Sequence, residues 1–218
     1  MINYRSIQDT IVHELEIKKS RFISYLIPIQ NEEEFQVNLD QIKKEHPKAT
    51  HHCYAYILED TGQIQRMSDD GEPSGTAGIP ILEVLKQENL TYLMAVVVRY
   101  FGGIKLGAGG LIRAYSSATS QALQISTLVE NTNQAIINLN MAYKLNDSFQ
   151  YFISQLANPP QILDSQYLDT VIHQIAIAQE EAALLEQQLA DRFNQQIDWQ
   201  FDHIRPVDLP IKNSSKKL

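Results

Sequence analysis

The stretch Leu93–Tyr115, LMAVVVRYFGGIKLGAGGLIRAY, decides how the rest of the chain is arranged. It opens with an apolar run rich in β-branched residues, which predicts a strand buried on both faces. Five glycines follow within nine positions, and a helical pattern begins at about Gly109. A strand, a glycine loop and a helix N-terminus in succession present free backbone N–H groups and a partial positive charge. The stretch therefore predicts a site for an anion such as a phosphate.

Charged and aromatic side chains around these glycines complete the candidate phosphate site. Lysine and arginine would contact phosphates, and glycine would let the backbone approach them, since it lacks a Cβ and tolerates positive φ. Tyr100 or Phe101 would stack on a base. The candidate site residues are Arg99, Tyr100, Gly102, Gly103, Lys105, Gly107, Gly109 and Arg113.

Glycines also permit tight turns and close packing of a helix on a strand with no ligand present. Their density here is high for a turn alone, so we favour anion binding. The loop is not a Walker A sequence, and it is not a clean Gly-x-Gly-x-x-Gly fingerprint. Ordinary nucleotide hydrolysis therefore has little support.

The stretch 66–80 is dense in turn-forming residues and predicts a loop that leads into a short helix at 79–86. Asp69, Asp70 and Glu72 could hold Mg²⁺ through oxygen ligands or form a surface for a partner. In the alternative, which we favour, the aspartates cap turns and the glutamate is solvated. We therefore predict no resident metal and no cofactor.

The adjacent His51, His52 and Cys53 invite two further interpretations. Zinc binding is disfavoured because neighbouring strand residues point apart and no second Cys/His pair stands at ligand spacing. A cysteine nucleophile would need a histidine base and an orienting group that the sequence does not reveal. Cys53 is predicted to be a small buried residue, and no catalytic residue is assigned.

Four ordered motifs resemble the IMPACT family, in its bacterial YigZ type. The resemblance covers about residues 9–129. The motifs are HHCYAY at 51–56, SDDGEPSGTAGIPIL at 68–82, VVVRYFGGIKLG at 96–107 and GGLIRAY at 109–115.

Periodicity predicts β-β-α-β-β-α-β-α up to about residue 128, as a two-layer α+β unit, and then β-α-β-β-α-β. The resemblance implies a ribosomal protein S5 domain 2-like fold for residues 1–130. For residues 131–204 it implies a ferredoxin-like domain resembling domain V of elongation factor G. Residues 205–218 are predicted to be a flexible tail. Trp199 and Phe201 could stack on RNA, but their alternation favours a place in the core.

Composition narrows the classes of protein. The 218 residues carry a net charge of −8 and one cysteine. The charge argues against broad nucleic-acid binding but allows a local basic site. Lys18, Lys19 and Arg21 are best read as a solvated turn, with membership of a patch around Lys105 as the alternative. The absence of a disulfide pair, signal peptide or membrane span predicts a soluble cytoplasmic protein without a membrane partner.

Three functions remain open. Eukaryotic IMPACT proteins regulate translation under amino-acid starvation by competing for the activator of a kinase that senses uncharged tRNA. The resemblance thus implies a non-enzymatic translation regulator that binds RNA or the ribosome. The alternatives are a Mg²⁺-dependent enzyme on a phosphorylated or nucleotide substrate, with His51 or His52 as base, and a protein-docking module at residues 69–78.

Overall fold

A computed structural model describes residues 2–211 and shows a mixed α/β chain with two sheets and five helices in that range. The described residues divide into two compact units, Asn3–Glu130 with residues 210–211, and Asn131–Leu209 with Ile2. None of the described helices is long and apolar enough to cross a bilayer.

The first unit is built around an antiparallel sheet of order β2-β3-β6-β4-β5. Its central strand is the apolar run predicted from the sequence, and it is buried from its first residue to its seventh. The elements are β1 (Ile2–Ile7), β2 (Ile11–Ile17), β3 (Ser20–Pro28), α1 (Glu32–Glu45), β4 (His51–Leu58), β5 (Ile64–Ser68), α2 (Gly78–Gln87), β6 (Leu93–Tyr100) and α3 (Ala108–Gln124).

Both faces of this sheet are covered, so the prediction of two layers is wrong. Ala95 and Val97 of β6 face the cluster formed with α2 and α3. Met94, Val96 and Val98 alternate with them and pack against α1 on the opposite face. An apolar strand that alternates between two faces needs cover on each, and α1 supplies the third layer.

Helix α1 begins at a side-chain cap. The side chain of Asn31 accepts a hydrogen bond from the Glu34 amide at 2.9 Å. The Glu34 carboxylate accepts a hydrogen bond from the Gln30 amide at 2.8 Å. In a standard capping box this bond would come from the amide of the N-cap residue, which here is Asn31. These two contacts fix the N-terminus of the helix.

The N-terminal ten residues, for which the sequence predicts no element, contain β1. Arg5 makes two contacts that hold this strand in place. Its carbonyl accepts a hydrogen bond from the Thr91 amide, and its guanidinium forms an ion pair with Glu130. Polar residues such as Asn3 and Arg5 masked the strand pattern in the sequence.

The second unit has the order β-α-β-β-α-β, as predicted. Strand β7 pairs with β9 and with β10, and β8 pairs with β9; the same five-stranded sheet also includes β1, which pairs with β7. Helices α4 and α5 pack on one face through Phe149 and Leu185. The elements are β7 (Leu128–Met141), α4 (Tyr143–Ser154), β8 (Gln161–Tyr167), β9 (Val171–Ala178), α5 (Gln179–Arg192) and β10 (Asp198–Pro210).

Two boundaries differ from the prediction. Strand β7 begins at Leu128, so it runs across the predicted domain limit between residues 130 and 131. Strand β10 runs on to Pro210 and buries Val207, so the predicted flexible tail is wrong for residues 205–210. The predicted tail residues 212–218 lie outside the described residues. Polar strand residues hydrogen bond through their backbone as well as apolar ones do, which pattern alone does not reveal.

Candidate functional site

The acidic loop, residues 69–77, is organised by its first carboxylate. Asp69 accepts hydrogen bonds from the amides of Gly75, Ala77 and Gly78 at 2.8, 3.0 and 2.8 Å. Burial acts to raise the pKa of Asp69, but these three hydrogen bonds outweigh it and leave the pKa below its usual value. Asp69 therefore caps helix α2 from eight or nine residues upstream.

Asp70 joins the same loop to strand β4. Its carboxylate accepts from the His52 amide at 2.6 Å, and its carbonyl accepts from Nδ1 of His51 at 2.7 Å. Burial lowers the pKa of His52, which favours its neutral form. These contacts agree with the interpretation of the aspartates as turn-forming residues.

Glu72 is buried, which corrects the expectation that it is solvated. Its Oε1 lies 2.5 Å from Nη1 of Arg99 and accepts a hydrogen bond from the Tyr115 hydroxyl at 2.8 Å. Nε2 of His51 lies 3.8 Å from the other carboxylate oxygen. A buried carboxylate is tolerated here because a cation and a hydroxyl both satisfy it.

Cys53 contacts the Glu72 network through Tyr115, and it is buried, as predicted. Its Sγ lies 2.9 Å from the Asp69 carbonyl oxygen and 3.3 Å from the Tyr115 hydroxyl. Burial raises the pKa of the thiol to about 12. A thiol that stays protonated at neutral pH is a poor nucleophile.

The three acidic side chains of the Mg²⁺ hypothesis thus serve separate partners: backbone amides for Asp69, the His52 amide for Asp70, and Arg99 for Glu72. Within residues 2–211 no group of three or more His, Cys, Asp or Glu side chains is arranged to hold a metal ion. The loop geometry therefore gives the Mg²⁺ hypothesis no support.

The glycine loop, residues 101–107, is fixed at its start. The Phe101 amide donates to Thr50 Oγ1 at 3.1 Å, and the Gly102 amide donates to Ser20 Oγ at 3.2 Å. A Cβ at position 102 would lie 2.0 Å from the carbonyl of Lys19, so only glycine fits against this turn. The loop and the β2–β3 turn are consequently in direct contact.

The end of the loop leads into the N-terminus of α3. Gly107 is the N-cap residue, with a φ of 72°, and no side chain caps the helix. The first helical hydrogen bond runs from the Leu111 amide to the Gly107 carbonyl at 2.9 Å. In the described part of the chain, the preceding amides of Ala108, Gly109 and Gly110 have no acceptor. These amides and the helix dipole suit an anion.

Two of the predicted cations are exposed on the glycine loop and on the first turns of α3. Arg113 is exposed on the first turns of α3, and its Nη1 lies 3.7 Å from where a Cβ on Gly109 would stand. Lys105 is exposed in the loop itself. Among residues 2–211, no carboxylate pairs with either side chain. Together with Lys18 and Lys19 of the adjoining turn they form what we call the basic patch.

Lys18 and Lys19 are exposed in the β2–β3 turn, in agreement with the favoured interpretation as a solvated turn, and their membership of a patch around Lys105 stays a prediction. Both residues have positive φ, 47° and 65°, which turns the Lys19 carbonyl toward Gly102. Arg21, the third cation of that segment, is paired with Glu14 at 2.6 Å.

Arg99 and Tyr100 are not placed to contact phosphate, which corrects that part of the candidate site. Arg99 is 5% exposed and its guanidinium pairs with Glu72. The Tyr100 hydroxyl bonds Nδ1 of His46 at 2.9 Å, and Arg21 lies over its ring. Both residues belong to β6. This strand is buried through Arg99, although a charged residue suggests that burial ends before it.

Comparison with known proteins gives consistent results. Residues 18–123 match the family described as Impact N-terminal domain. The IMPACT family member YvyE of Bacillus subtilis (strain 168) is 43% identical over 171 residues, which cover 78% of this chain and 75% of that protein. The IMPACT family member YigZ of Escherichia coli (strain K12) is 37% identical over 178 residues, 81% of this chain and 86% of that protein.

A solved structure described as a hypothetical protein is also similar. It superposes with a TM-score of 0.59 at 33% identity and covers 93% of this chain and 98% of its own. The similarity extends through both compact units.

Proposed function

This chain belongs to the IMPACT family, and from that premise we propose that it is a non-enzymatic regulatory protein associated with translation. It binds RNA, the ribosome or another phosphate-bearing ligand through the glycine loop and the basic patch. The eukaryotic members of the family regulate translation, and this supports a role in translation for the present chain.

One observation supports the binding role above all others. The first turn of α3 has no capping side chain and no acidic residue, yet it lies beside Lys105 and Arg113. The first amides of a helix lack acceptors within the helix, so a cap, water or a ligand has to supply them. A phosphate supplies oxygen acceptors and negative charge at such a position.

The proposal includes the finer fold assignments and the domain limits. The N-terminal domain, residues 1–130, is of the S5 domain 2-like type. The C-terminal domain, residues 131–204 with the rest of β10, is ferredoxin-like and resembles domain V of elongation factor G. The strand pairings β10-β7-β9-β8 support the second assignment, because the ferredoxin-like unit pairs its four strands in the order 4-1-3-2.

The alternatives from the sequence receive less support. The Mg²⁺-dependent enzyme would need Asp69, Asp70 and Glu72 as ligands, and each already has another partner. Protein docking at residues 69–78 would have to use a loop whose polar groups are largely satisfied internally. A protein partner remains an outcome of the tests below.

Filter binding of tRNA and ribosomal RNA fragments at two salt concentrations tests the proposal. We expect Lys105→Ala to weaken binding about fivefold at low salt, since one phosphate contact is lost. Lys144→Ala is the matched control, because Lys144 is likewise an exposed lysine but lies in the first turn of α4, in the second unit. No binding at low salt, or equal effects of the two variants, would contradict the proposal.

A further inference from the structure

The side chains of Phe22, Arg99 and Phe101 form a three-layer stack at the root of the glycine loop. The Arg99 guanidinium carbon lies 5.4 Å from the ring centre of Phe22 and 5.6 Å from that of Phe101. Phe22 is fully buried and Arg99 is 5% exposed, whereas Phe101 is 47% exposed. The stack therefore ends at the surface in an aromatic ring.

Several contacts hold the lower layers of this stack in place. Nη1 of Arg99 pairs with the buried Glu72, and its Nε is buried without a hydrogen-bond partner. The guanidinium is thus held by one ion pair and by the two rings, in cation–π geometry. The Phe101 backbone is fixed by its bond to Thr50. Because one face of the Phe101 ring is covered by Arg99, the ring is already oriented for a second flat group on its other face.

The loop that carries this ring also carries exposed apolar and cationic side chains. Ile104 is also exposed in the loop, and the basic patch supplies Lys18, Lys19, Lys105 and Arg113. A ligand that suits both features carries flat rings and regularly spaced negative charges. Nucleic-acid strands have this chemistry, and base stacking on an aromatic side chain with phosphates along a cationic groove is how unpaired strands are bound.

We propose that the glycine loop binds single-stranded RNA, with one unpaired base stacked on Phe101 and its flanking phosphates on the basic patch. A duplex cannot make this contact, since its bases are stacked on each other and their faces are not available. The other candidate aromatic, Tyr100, is half-buried under Arg21 and bonded to His46, so it does not stack on the ligand. This inference rests on the proposed function and specifies its ligand.

Fluorescence anisotropy of the full chain with a labelled, unstructured RNA of about 12 nucleotides tests the inference, alongside the matching duplex. We expect the single strand to bind more tightly than the duplex. Phe101→Leu should weaken single-strand binding about tenfold, the order found when one stacked aromatic is removed, and leave duplex binding unchanged. Tyr151→Leu, at an exposed aromatic on α4, is the matched control and should change neither.

Phe101→Trp gives a second, spectroscopic readout that does not depend on loss of binding. A base stacked on the introduced indole should quench its fluorescence when the single strand is added, above the change that Trp199 of the unaltered protein shows. The duplex should produce no such excess quenching. Circular dichroism of both variants establishes that they fold.

The outcomes separate the two proposals. If neither RNA binds at low salt, the proposed function fails and this inference fails with it. If both RNAs bind equally and Phe101→Leu has no effect, RNA binding stands and stacking on Phe101 is overturned. If a polyglutamate peptide binds as tightly as the RNA and loses the same affinity with Phe101→Leu, the surface is an acidic-peptide site and the inference is overturned.

Discussion

At the scale of single residues, Asp69 shows how a side chain that invites a metal can instead complete a helix. Three amides of the 75–78 segment donate to its carboxylate. Charge-assisted hydrogen bonds of this kind are stronger than neutral ones. The ionised form of Asp69 is thus an integral part of the acidic loop.

We expect Asp69→Asn to destabilise the protein by about 2 kcal/mol at pH 7, because an amide replaces a charged acceptor and brings its own donor against backbone N–H groups. The folded-state pKa of Asp69 lies below its usual value. Its contribution to stability is therefore present above about pH 4 and is lost as pH falls through the folded pKa. The gap between wild type and variant should shrink from pH 7 to about pH 3 in urea unfolding.

Asp147→Asn is the control for this experiment, since Asp147 is exposed on α4. It should leave the free energy of unfolding nearly unchanged at both pH values. A gap for Asp69→Asn that stays constant with pH would show that the ionised carboxylate is not what stabilises the loop.

Residue types near the candidate site were predictable from the sequence, but their burial was not. Lys105 and Arg113 lie beside the helix start, as their sequence positions suggest. Arg99 is only two residues from Phe101, yet it points into the core because Glu72, 27 residues earlier, pairs with it there. A partner so far away in the sequence leaves no local signal.

At the scale of elements, the glycine loop combines two different requirements for glycine. Gly102 has no space for a Cβ, whereas Gly103 has open space but a φ of 84°. Gly109, in the first turn of α3, has neither restriction. Substitution by alanine should distinguish these cases.

We expect Gly102→Ala to cost about 3 kcal/mol, because the loop or the Lys19 turn must move. Gly103→Ala should cost about 1 kcal/mol through left-handed backbone strain. Gly109→Ala should be neutral or slightly stabilising, by up to about 1 kcal/mol, since alanine favours helix. Thermal unfolding of the three variants gives the order, and a loss for Gly109→Ala as large as that for Gly102→Ala would contradict it.

The existence of most elements followed from sequence periodicity, while several ends did not. Strand β6 was expected from its continuous apolar run, and helices α2 and α3 were expected after the acidic loop and the glycine loop. Strand β10 was expected to end near His203, but it continues to Pro210, and only Val207 of its last residues is buried. Its exposed residues are in strand conformation because the backbone pairs with β7, and side-chain pattern carries no record of that.

At the scale of the whole molecule, the basic patch stands out against a net charge of −8. Long-range attraction to nucleic acid is consequently weak, and binding depends on a few local contacts. The number of those contacts is measurable through the salt dependence of binding.

With about four phosphate contacts, log K against log salt should have a slope of about −3 for a single strand. Lys105→Ala should make the slope shallower by about 0.7. Anisotropy titrations between about 50 and 200 mM salt measure both values. A slope near zero would exclude phosphate contacts, and one much steeper than −3 would indicate binding over a wider surface than the basic patch.

The layer arrangement was the global feature that sequence analysis missed in the first unit. The strand at its centre was recognised as apolar on both faces, which already required cover on both. Counting helices along the chain did not reveal which face each would take, because that depends on how the connections cross the sheet.

Helices α2 and α3 begin in the same way, each after a glycine-rich turn, but only α2 has a carboxylate of the protein at its first amides. The Asp69 carboxylate at α2 thus shows which kind of group, an anion with oxygen acceptors, would bind at the N-terminus of α3. An aspartate engineered near the start of α3 would act as a tethered competitor and occupy those amides at a local concentration that no free ligand reaches. The N-terminus of α2 is occupied by a carboxylate of the protein itself, whereas the N-terminus of α3 is left for the group of a ligand.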